Sequence, residues 1–533
     1  MAQSSWDGLT LFQPLASTTT YLIDNSGEVF HSWTGTYTPG DSVYLYDTDK
    51  LLRTIHVQGT LGGSGGGVEE VAWNGTLLWH FEYANSAHLQ HHDAVRLPNG
   101  NVLMIAWEYK TSAQAIAAGR NPAYLQGPTF APDHIIEVQQ TGPTTGTIVW
   151  QWHVWDHLVQ DFDAAKPNFG VVANHVELID LNFPAQIAQQ GDWNHCNAID
   201  YNAALDQIVL SSHNLSEVWI IDHSTTTAEA ASHAGGNHGR GGDLLYRWGN
   251  PRAYRAGTVA DQKLYGQHNA QWIEAGSPGA GNLLVFNNGL NRPQGAYSSI
   301  DEFTTPVDVN GNYAYAPGTA FGPASLSWTY TAAVPTTFYS NNISGTQRLL
   351  NGNTLICDGD SGLFFEVTSA GQTVWTYLNK FPTGGTNKNV FQCRRYRNCE
   401  APESYCVTSP NSVGAGALIG SSGSASVAAD NLVLSITGAP AAKSGLFFFG
   451  AIPLQTAFGD GVRCVASPTL RLPIIQTDGN GVATYALDLT NPLLSSSVIN
   501  AGQTWRFQFW YRDPSFGTFG VNLSNALAVA FCD

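Results

Sequence analysis

RLPNGNVLMI at residues 96–105 and RLLNGNTLIC at 348–357 are two copies of one half-unit: an apolar strand, a turn on Asn-Gly, and a second apolar strand. Asn-Gly between alternating apolar runs is a strong hairpin signal, because the two-residue turn needs φ > 0 at both positions. YNAALDQIVLSS (201–212) and IEAGSPGAGNLLVFNN (273–288) are looser copies. A second half-unit is a strand, a short turn, and a strand ending in Trp-x-Trp or Trp-x-aromatic. EVAWNGTLLWHFEY (70–83), IIEVQQTGPTTGTIVWQWHVW (135–155) and EVTSAGQTVWTYLN (366–379) show it. EVWIID (217–222) with LLYRWG (244–249), and IDEF (300–303) with LSWTYT (326–331), follow the same plan.

Two half-units make a four-stranded unit, and internal repetition of such units is the signature of a propeller. Complete units span roughly 43–83, 91–157, 192–251, 266–332 and 341–380. YLIDNSGEVFHSW (21–33) is a second half with nothing before it, and NVFQCRRYR (389–397) is a first half with nothing after it. Joining them closes a ring and removes the exposed sheet edges. The expected fold is all-β: a six-bladed β-propeller over 1–402, then a small C-terminal β-sandwich over 403–533. Stretches such as LVLSITG (432–438), LFFFGA (446–451), TWRFQFWYRD (504–513) and ALAVAFCD (526–533) carry the sandwich pattern. That region has no histidine and no clustered carboxylates, so an accessory role is expected for it.

A chain of 533 residues exceeds one ordinary core. Only 12% of residues are charged, and Gly (55) and Trp (16) are abundant, which fits turn-rich β architecture. The formal net charge of −18 and the absence of a basic stripe argue against nucleic acid. No apolar run reaches the ~18 residues of a membrane span. Met1 leads directly into Ala2-Gln3-Ser4-Ser5 without a signal peptide, the start expected of a mature secreted protein. Of seven cysteines, five (Cys393, Cys399, Cys406, Cys464 and Cys532) lie late in the chain and none forms C-x-x-C. A disulfide-stapled C-terminal region in an oxidising compartment is expected, with Cys393–Cys399 close enough to close a small loop.

All sixteen histidines lie at or before His268. Several stand just ahead of the innermost strand of a blade, where side chains face the axis: His91-His92-Asp93, Asn194-His195-Cys196-Asn197 and Gln267-His268-Asn269. Asn341-Asn342 holds the matching place in blade five, and Ser211-Ser212-His213-Asn214 ends the second strand of blade three. Matched repeat positions place His92, His195, His213 and His268 around one axis. His31, His80, His88, His153 and His157 read as structural.

DWNHCNAIDYN (192–202), IVLSSHNLSEVWIID (208–222), GQHNAQW (266–272) and LQHHDAVRLPNGNVLM (89–104) resemble bacterial aryl-sulfate sulfotransferases, over residues ~15–400. The resemblance implies a secreted or periplasmic propeller that moves a sulfuryl group from a phenolic sulfate to a phenol. It implies a sulfohistidine, no cofactor and no nucleotide donor. His268 matches the nucleophile; His92 and the pair His195 and Asn197 match the groups holding the sulfuryl oxygens; His91, Asn269, Asn214 and Asn342 are substrate-binding candidates. The family's arginine after Ser-Ser is here His213, a conditional rather than a permanent charge.

Two other classes fit the same residues. His92, His195, His213 and His268 could ligate copper or zinc as neutral imidazoles, or the chain could be a non-catalytic surface protein. Gly438-Ala-Pro-Ala-Ala-Lys443-Ser444 lacks the glycine before lysine of a phosphate-binding loop, and no G-x-S-x-G elbow occurs.

Overall fold

The two Asn-Gly hairpins fold identically, and not as the two-residue turn expected of them. Gly100 donates to the Leu97 carbonyl and Leu97 to the Asn101 carbonyl; Gly352, Leu349 and Asn353 repeat both bonds. Only the glycines take positive φ, 87° and 88°. This is the three-residue loop, a type I turn closed by a left-handed glycine, and Pro98 suits the second position of such a turn.

The computed structural model describes residues 4–46, 50–184, 191–397, 402–423, 425–427, 430–489, 498–500 and 502–532. The chain is all-β and divides into two compact units, Met1–Tyr396 and Arg397–Asp533.

Among the described residues, the first unit holds six four-stranded antiparallel sheets, each named from its innermost strand outward. Sheet one is Pro39–Tyr46, Lys50–His56, Gly66–Ala72, Leu77–Glu82; sheet two is His88–Arg96, Val102–Glu108, Asp133–Gly142, Thr145–His153. Sheet three is Cys196–Asn202, Gln207–Ser212, Glu217–Asp222, Tyr246–Trp248; sheet four is His268–Trp272, Leu283–Asn287, Ser299–Phe303, Trp328–Tyr330. Sheet five is Ser344–Arg348, Thr354–Asp358, Leu363–Val367, Thr373–Leu378. Sheet six joins Val390–Tyr396 to Leu9–Pro14, Thr19–Ile23 and Val29–Thr34. The two terminal segments do share a sheet, but in a ratio of one strand to three rather than two to two. LTLFQP at 9–14 is buried at every position, so neither alternation nor a turn motif marks it in the sequence.

The Trp motifs tie the sheets in a circle. Each sheet's last strand sends an indole N–H to the next sheet's segment: Trp79 to the Thr145 carbonyl, Trp150 to Thr225 Oγ1, Trp248 to the Pro323 carbonyl. Trp328 reaches the Ser369 carbonyl, Trp375 the Asn25 carbonyl, and Trp33 the Ala72 carbonyl, which returns the series to sheet one. Buried ion pairs repeat the same step from a third strand to the next innermost strand: Glu70 to Arg96, Glu302 to Arg348 at 2.7 Å, and Glu366 to Arg395 at 2.5 Å. The innermost strands touch in the same cyclic order, with Val390–Tyr396 beside Pro39–Tyr46.

In the second unit, Thr504–Arg512 lies between Val521–Ala530 and Ser444–Gly450 in the larger sheet, and Leu418–Ser422, Val433–Thr437 and Ala483–Ala486 form a three-stranded sheet. Ile419, Leu434 and Ile436 of the smaller sheet share one core with Phe447, Phe507, Phe509 and Leu527 of the larger. Cys406 and Cys464 form a disulfide. Cys393 is a free, buried thiol and closes no loop with Cys399, which lies outside the described residues. Cys393 is part of the apolar core that also holds Cys357 and Phe364, which keeps it from solvent. Residues 438–443 connect two strands as a loop, and Ser444 opens the second of them.

Candidate active site

In or just ahead of four innermost strands stands a left-handed residue that is not glycine: Asp41 (φ 110°), His92 (52°), His195 (50°) and Asn269 (52°). Each sits in or beside a register irregularity, between Pro39 and Val43, Gln90 and Ala94, Cys196 and Ile199, and His268 and Gln271. An extra residue in a strand bends it and re-aims the side chains there. Left-handed backbone is uncommon for such residues and clusters at functional sites.

The bulges bring the histidine rings into one chain. Ring centroids of His92 and His195 are 4.5 Å apart, His195 and His213 5.2 Å, and His213 and His268 5.2 Å, all edge to face. Phe391 closes the arc, 6.0 Å from His268 and 5.8 Å from His92. His92, His213 and His268 are buried, whereas the His195 side chain keeps 16% of its surface in solvent.

Hydrogen-bond partners assign the ring protons. Asn288 donates through Nδ2 to the Ser340 carbonyl, so its Oδ1 is an acceptor, and His268 Nδ1–H donates to it at 2.9 Å. Asn214 Nδ2 donates to the Asp192 carbonyl, so His213 Nδ1–H donates to Asn214 Oδ1 at 2.8 Å. His195 Nδ1–H donates to Asp192 Oδ2, whose other oxygen accepts from the Trp107 indole at 2.9 Å. His91 donates through Nε2 to Asp133 Oδ1 at 3.1 Å, which leaves its Nδ1 to accept from His92 Nδ1 at 2.7 Å. All four channel rings therefore hold a proton at Nδ1, and each one that is neutral carries its unshared pair at Nε2.

Their charges differ. Burial disfavours charge on His195, but the Asp192 carboxylate and its hydrogen bond, aided by Asp133 and Asp41, hold its pKa above the ordinary histidine value. Burial, with repulsion from His195, pushes His92 well below that range. Burial, then His213, does the same to His268, and burial, then His195, lowers His213 to about 4. Asp41, 3.9 Å from His92 Nε2, is raised by burial to about 7. His195 is thus held toward the cation, beside three rings held toward neutrality.

A sequence model of the Arylsulfotransferase (ASST) family matches residues 2–405. The chain belongs to the arylsulfotransferase family. No curated protein matches it. Among solved structures it is similar to a protein of unknown function from Bacteroides caccae (13% identity over 74% of this chain and 100% of that one, TM-score 0.40). It is also similar to a streptogramin B lyase (12%, 70% and 80%, TM-score 0.34) and to the Cps50 (Swd1) β-propeller domain of Myceliophteria_thermophila (12%, 70% and 87%, TM-score 0.36).

Within this arylsulfotransferase-family chain, the remaining candidates take different places. Asn214 orients His213. Asn197 is fully buried; its amide donates to the Gln267 carbonyl at 2.9 Å and its Oδ1 has no partner, so what it leaves free is an acceptor. His91 is stacked on Trp107 at 4.1 Å, behind His92. Asn269 bridges sheets, donating to Gln392 and accepting from the Thr346 amide. Asn342 exposes its side chain and gives its carbonyl to Asn288 and its backbone N–H to Asp360. Asp41, Asp133, Asp192, Asn288 and Phe391 belong to the site and are not sequence candidates. Aligning LLVFNNG (283–289) with IVLSSHN (208–214) at the ends of second strands finds Asn288 opposite His213. Among the described residues, the group of three or more donors drawn within 4.8 Å is His157, His233 and Asp243, and it includes none of the four channel histidines.

Proposed function

We propose that the first unit is a six-bladed β-propeller, the second a β-sandwich accessory domain, and that the propeller transfers a sulfuryl group from a phenolic sulfate ester to a phenol. The observation that carries the reading is a neutral His268 with its Nδ1 proton held by Asn288, placed in one arc with a cationic His195.

His268 Nε2 attacks sulfur, the N–S bond forms as the S–O bond to the aryl group breaks, and the electron pair leaves with the phenolate. His195 gives that oxygen its proton. In the second half-reaction His195 takes the proton of the incoming phenol, whose oxygen attacks sulfur as the N–S bond breaks, restoring the neutral His268 ring and the His195 imidazolium. While cationic, His195 also stabilises the charge on the sulfuryl oxygens. The Asn197 acceptor is assigned no sulfuryl oxygen, and His91 acts by positioning His92. The Phe391 ring supplies an apolar wall for an aromatic substrate. The disulfide supports a secreted or periplasmic setting.

The test is release of nitrophenol from its sulfate ester, with and without added phenol, together with intact mass after incubation with the ester alone. The native protein gains one sulfuryl group, and His268→Ala loses both the gain and the turnover. His195→Ala turns over about 10²–10³-fold more slowly, the usual loss for one oxyanion-stabilising donor. Full turnover by His268→Ala overturns the reading.

A further inference from the structure

We propose that His157, His233 and Asp243 form a binding site for a divalent cation of the zinc class, separate from the four channel histidines. His157 follows the last strand of sheet two; His233 and Asp243 lie in the connection between the third and fourth strands of sheet three.

Both imidazoles point Nδ1 at the same carboxylate oxygen: His157 at 2.8 Å and His233 at 2.7 Å from Asp243 Oδ1. The other nitrogen of His157 faces the Ala230 carbonyl at 2.8 Å. A carbonyl can only accept, so His157 Nε2 carries the proton. A neutral His157 then directs the unshared pair of Nδ1 at a carboxylate oxygen, which is repulsive unless a second proton or a cation lies between them. The ring is fully buried and stacked on Trp152 at 5.5 Å. A divalent cation accepts all three lone pairs while both rings stay neutral.

The surroundings fit that use. A ring whose distal N–H is held by a backbone carbonyl has its tautomer and orientation fixed, as metal-ligating imidazoles require. Two imidazoles and one carboxylate suit zinc and its neighbours, and three protein ligands leave a fourth position for water. The His233 side chain is 60% exposed, so that position opens to solvent. Tetrahedral Zn–N and Zn–O bonds of ~2.0–2.1 Å need donors somewhat farther apart than 2.7 and 2.8 Å, which is met when Asp243 and the exposed His233 draw back from the fixed His157 ring. Gly242 lets the loop approach this closely: a Cβ there meets His157 Nε2 at 2.6 Å. The bound ion clips the 226–243 connection to the segment that follows sheet two.

The protein is stripped with chelator, dialysed against zinc chloride alone, desalted, and its metal measured; affinity is taken by titration calorimetry. The native protein retains zinc at this site, about one equivalent. His233→Ala and Asp243→Asn each weaken binding there by roughly 100-fold or more, beyond the 10–100-fold typical of losing a supporting contact. His92→Ala and His213→Ala keep that equivalent, and cobalt(II) in place of zinc gives a tetrahedral visible spectrum that His233→Ala abolishes. His233 is exposed, and far-UV circular dichroism verifies that its variant folds. A native protein without stoichiometric zinc, unchanged binding in both site variants, or loss confined to the channel variants overturns the proposal.

Discussion

His213 and His268 meet edge to face with ring centroids 5.2 Å apart, and each is held at Nδ1 by a different asparagine, Asn214 and Asn288. The two asparagines end the second strands of neighbouring sheets, so each sheet orients one ring. Neutral rings so fixed present Nε2 lone pairs, which suits a nucleophile at His268. At His213 the same neutrality withholds the charge that the family's arginine supplies.

His213→Arg therefore strengthens anion binding. Burial, then His195, lowers His213 to about 4, so at neutral pH that ring is uncharged. A guanidinium stays charged and adds a charge-assisted hydrogen bond of ~1.5–3 kcal/mol, or about 10–100-fold in KM for an aryl sulfate. Steady-state kinetics with nitrophenyl sulfate reads this. A fall in kcat with unchanged KM means that the His213 lone pair, not the missing charge, serves the reaction.

Asp192→Asn moves the alkaline limb of the pH–rate profile to lower pH. Burial disfavours the His195 cation, and the Asp192 carboxylate is the main group that restores it. Replacing it leaves a hydrogen-bond acceptor without the charge, so the acid form of His195 is lost at lower pH. The same group makes a stability statement. A histidine raised in the folded state contributes stability that is fully present below its unfolded value and is lost as pH rises through the folded value. Thermal melts across that window flatten in Asp192→Asn, and a profile whose limb stays in place assigns the titration to another group.

The sequence carried the repeat because alternation and turn residues are local, and it carried the four channel histidines because repeat positions put them on one axis. It did not carry the carboxylates. Asp41 sits in PGDSV with no histidine beside it, Asp133 opens the third strand of sheet two, and Asp192 lies in the segment before sheet three, places that the repeat ahead of an innermost strand does not mark. Leu9–Pro14 is buried at every position, so its role as the second strand of sheet six depends on a partner nearly 400 residues away. That His92 rather than His91 faces the other rings is decided by one left-handed φ, which no sequence pattern sets.

Arg395→Ala loosens the junction at which the chain termini close the circle. Arg395 and Glu366 are both fully buried and 2.5 Å apart, and the guanidinium also bonds Thr10 Oγ1 at 2.9 Å in the N-terminal strand. Removing one partner strands a buried charge, which costs about 3–5 kcal/mol. Urea unfolding reads the loss. Glu177→Ala, at the half-exposed His175–Glu177 pair, costs less than ~1 kcal/mol and serves as the contrast. Equal effects at the two pairs contradict the assignment of Arg395 to ring closure.

Asp41→Asn raises stability at neutral and alkaline pH and leaves it nearly unchanged in acid. Burial raises the Asp41 carboxyl to about 7, partly offset by the His195 cation and reinforced by Asp93. The folded state thus holds a proton that the unfolded chain gives up near pH 3.8, the ordinary value. Between those two values the unfolded state binds fewer protons, so stability falls as pH rises, and above about 7 the whole deficit is present. Three pKa units correspond to roughly 4 kcal/mol as an upper bound, because water and the His195 charge relieve part of it. Asparagine keeps the shape, has no proton to lose, and tolerates the positive φ of 110° at this bulge. Melting temperatures of the native and variant proteins converge toward pH 4 and separate toward pH 8. A separation that does not grow with pH means that Asp41 is ionised in the folded protein and joins Asp192 and Asp133 in balancing charge on His195.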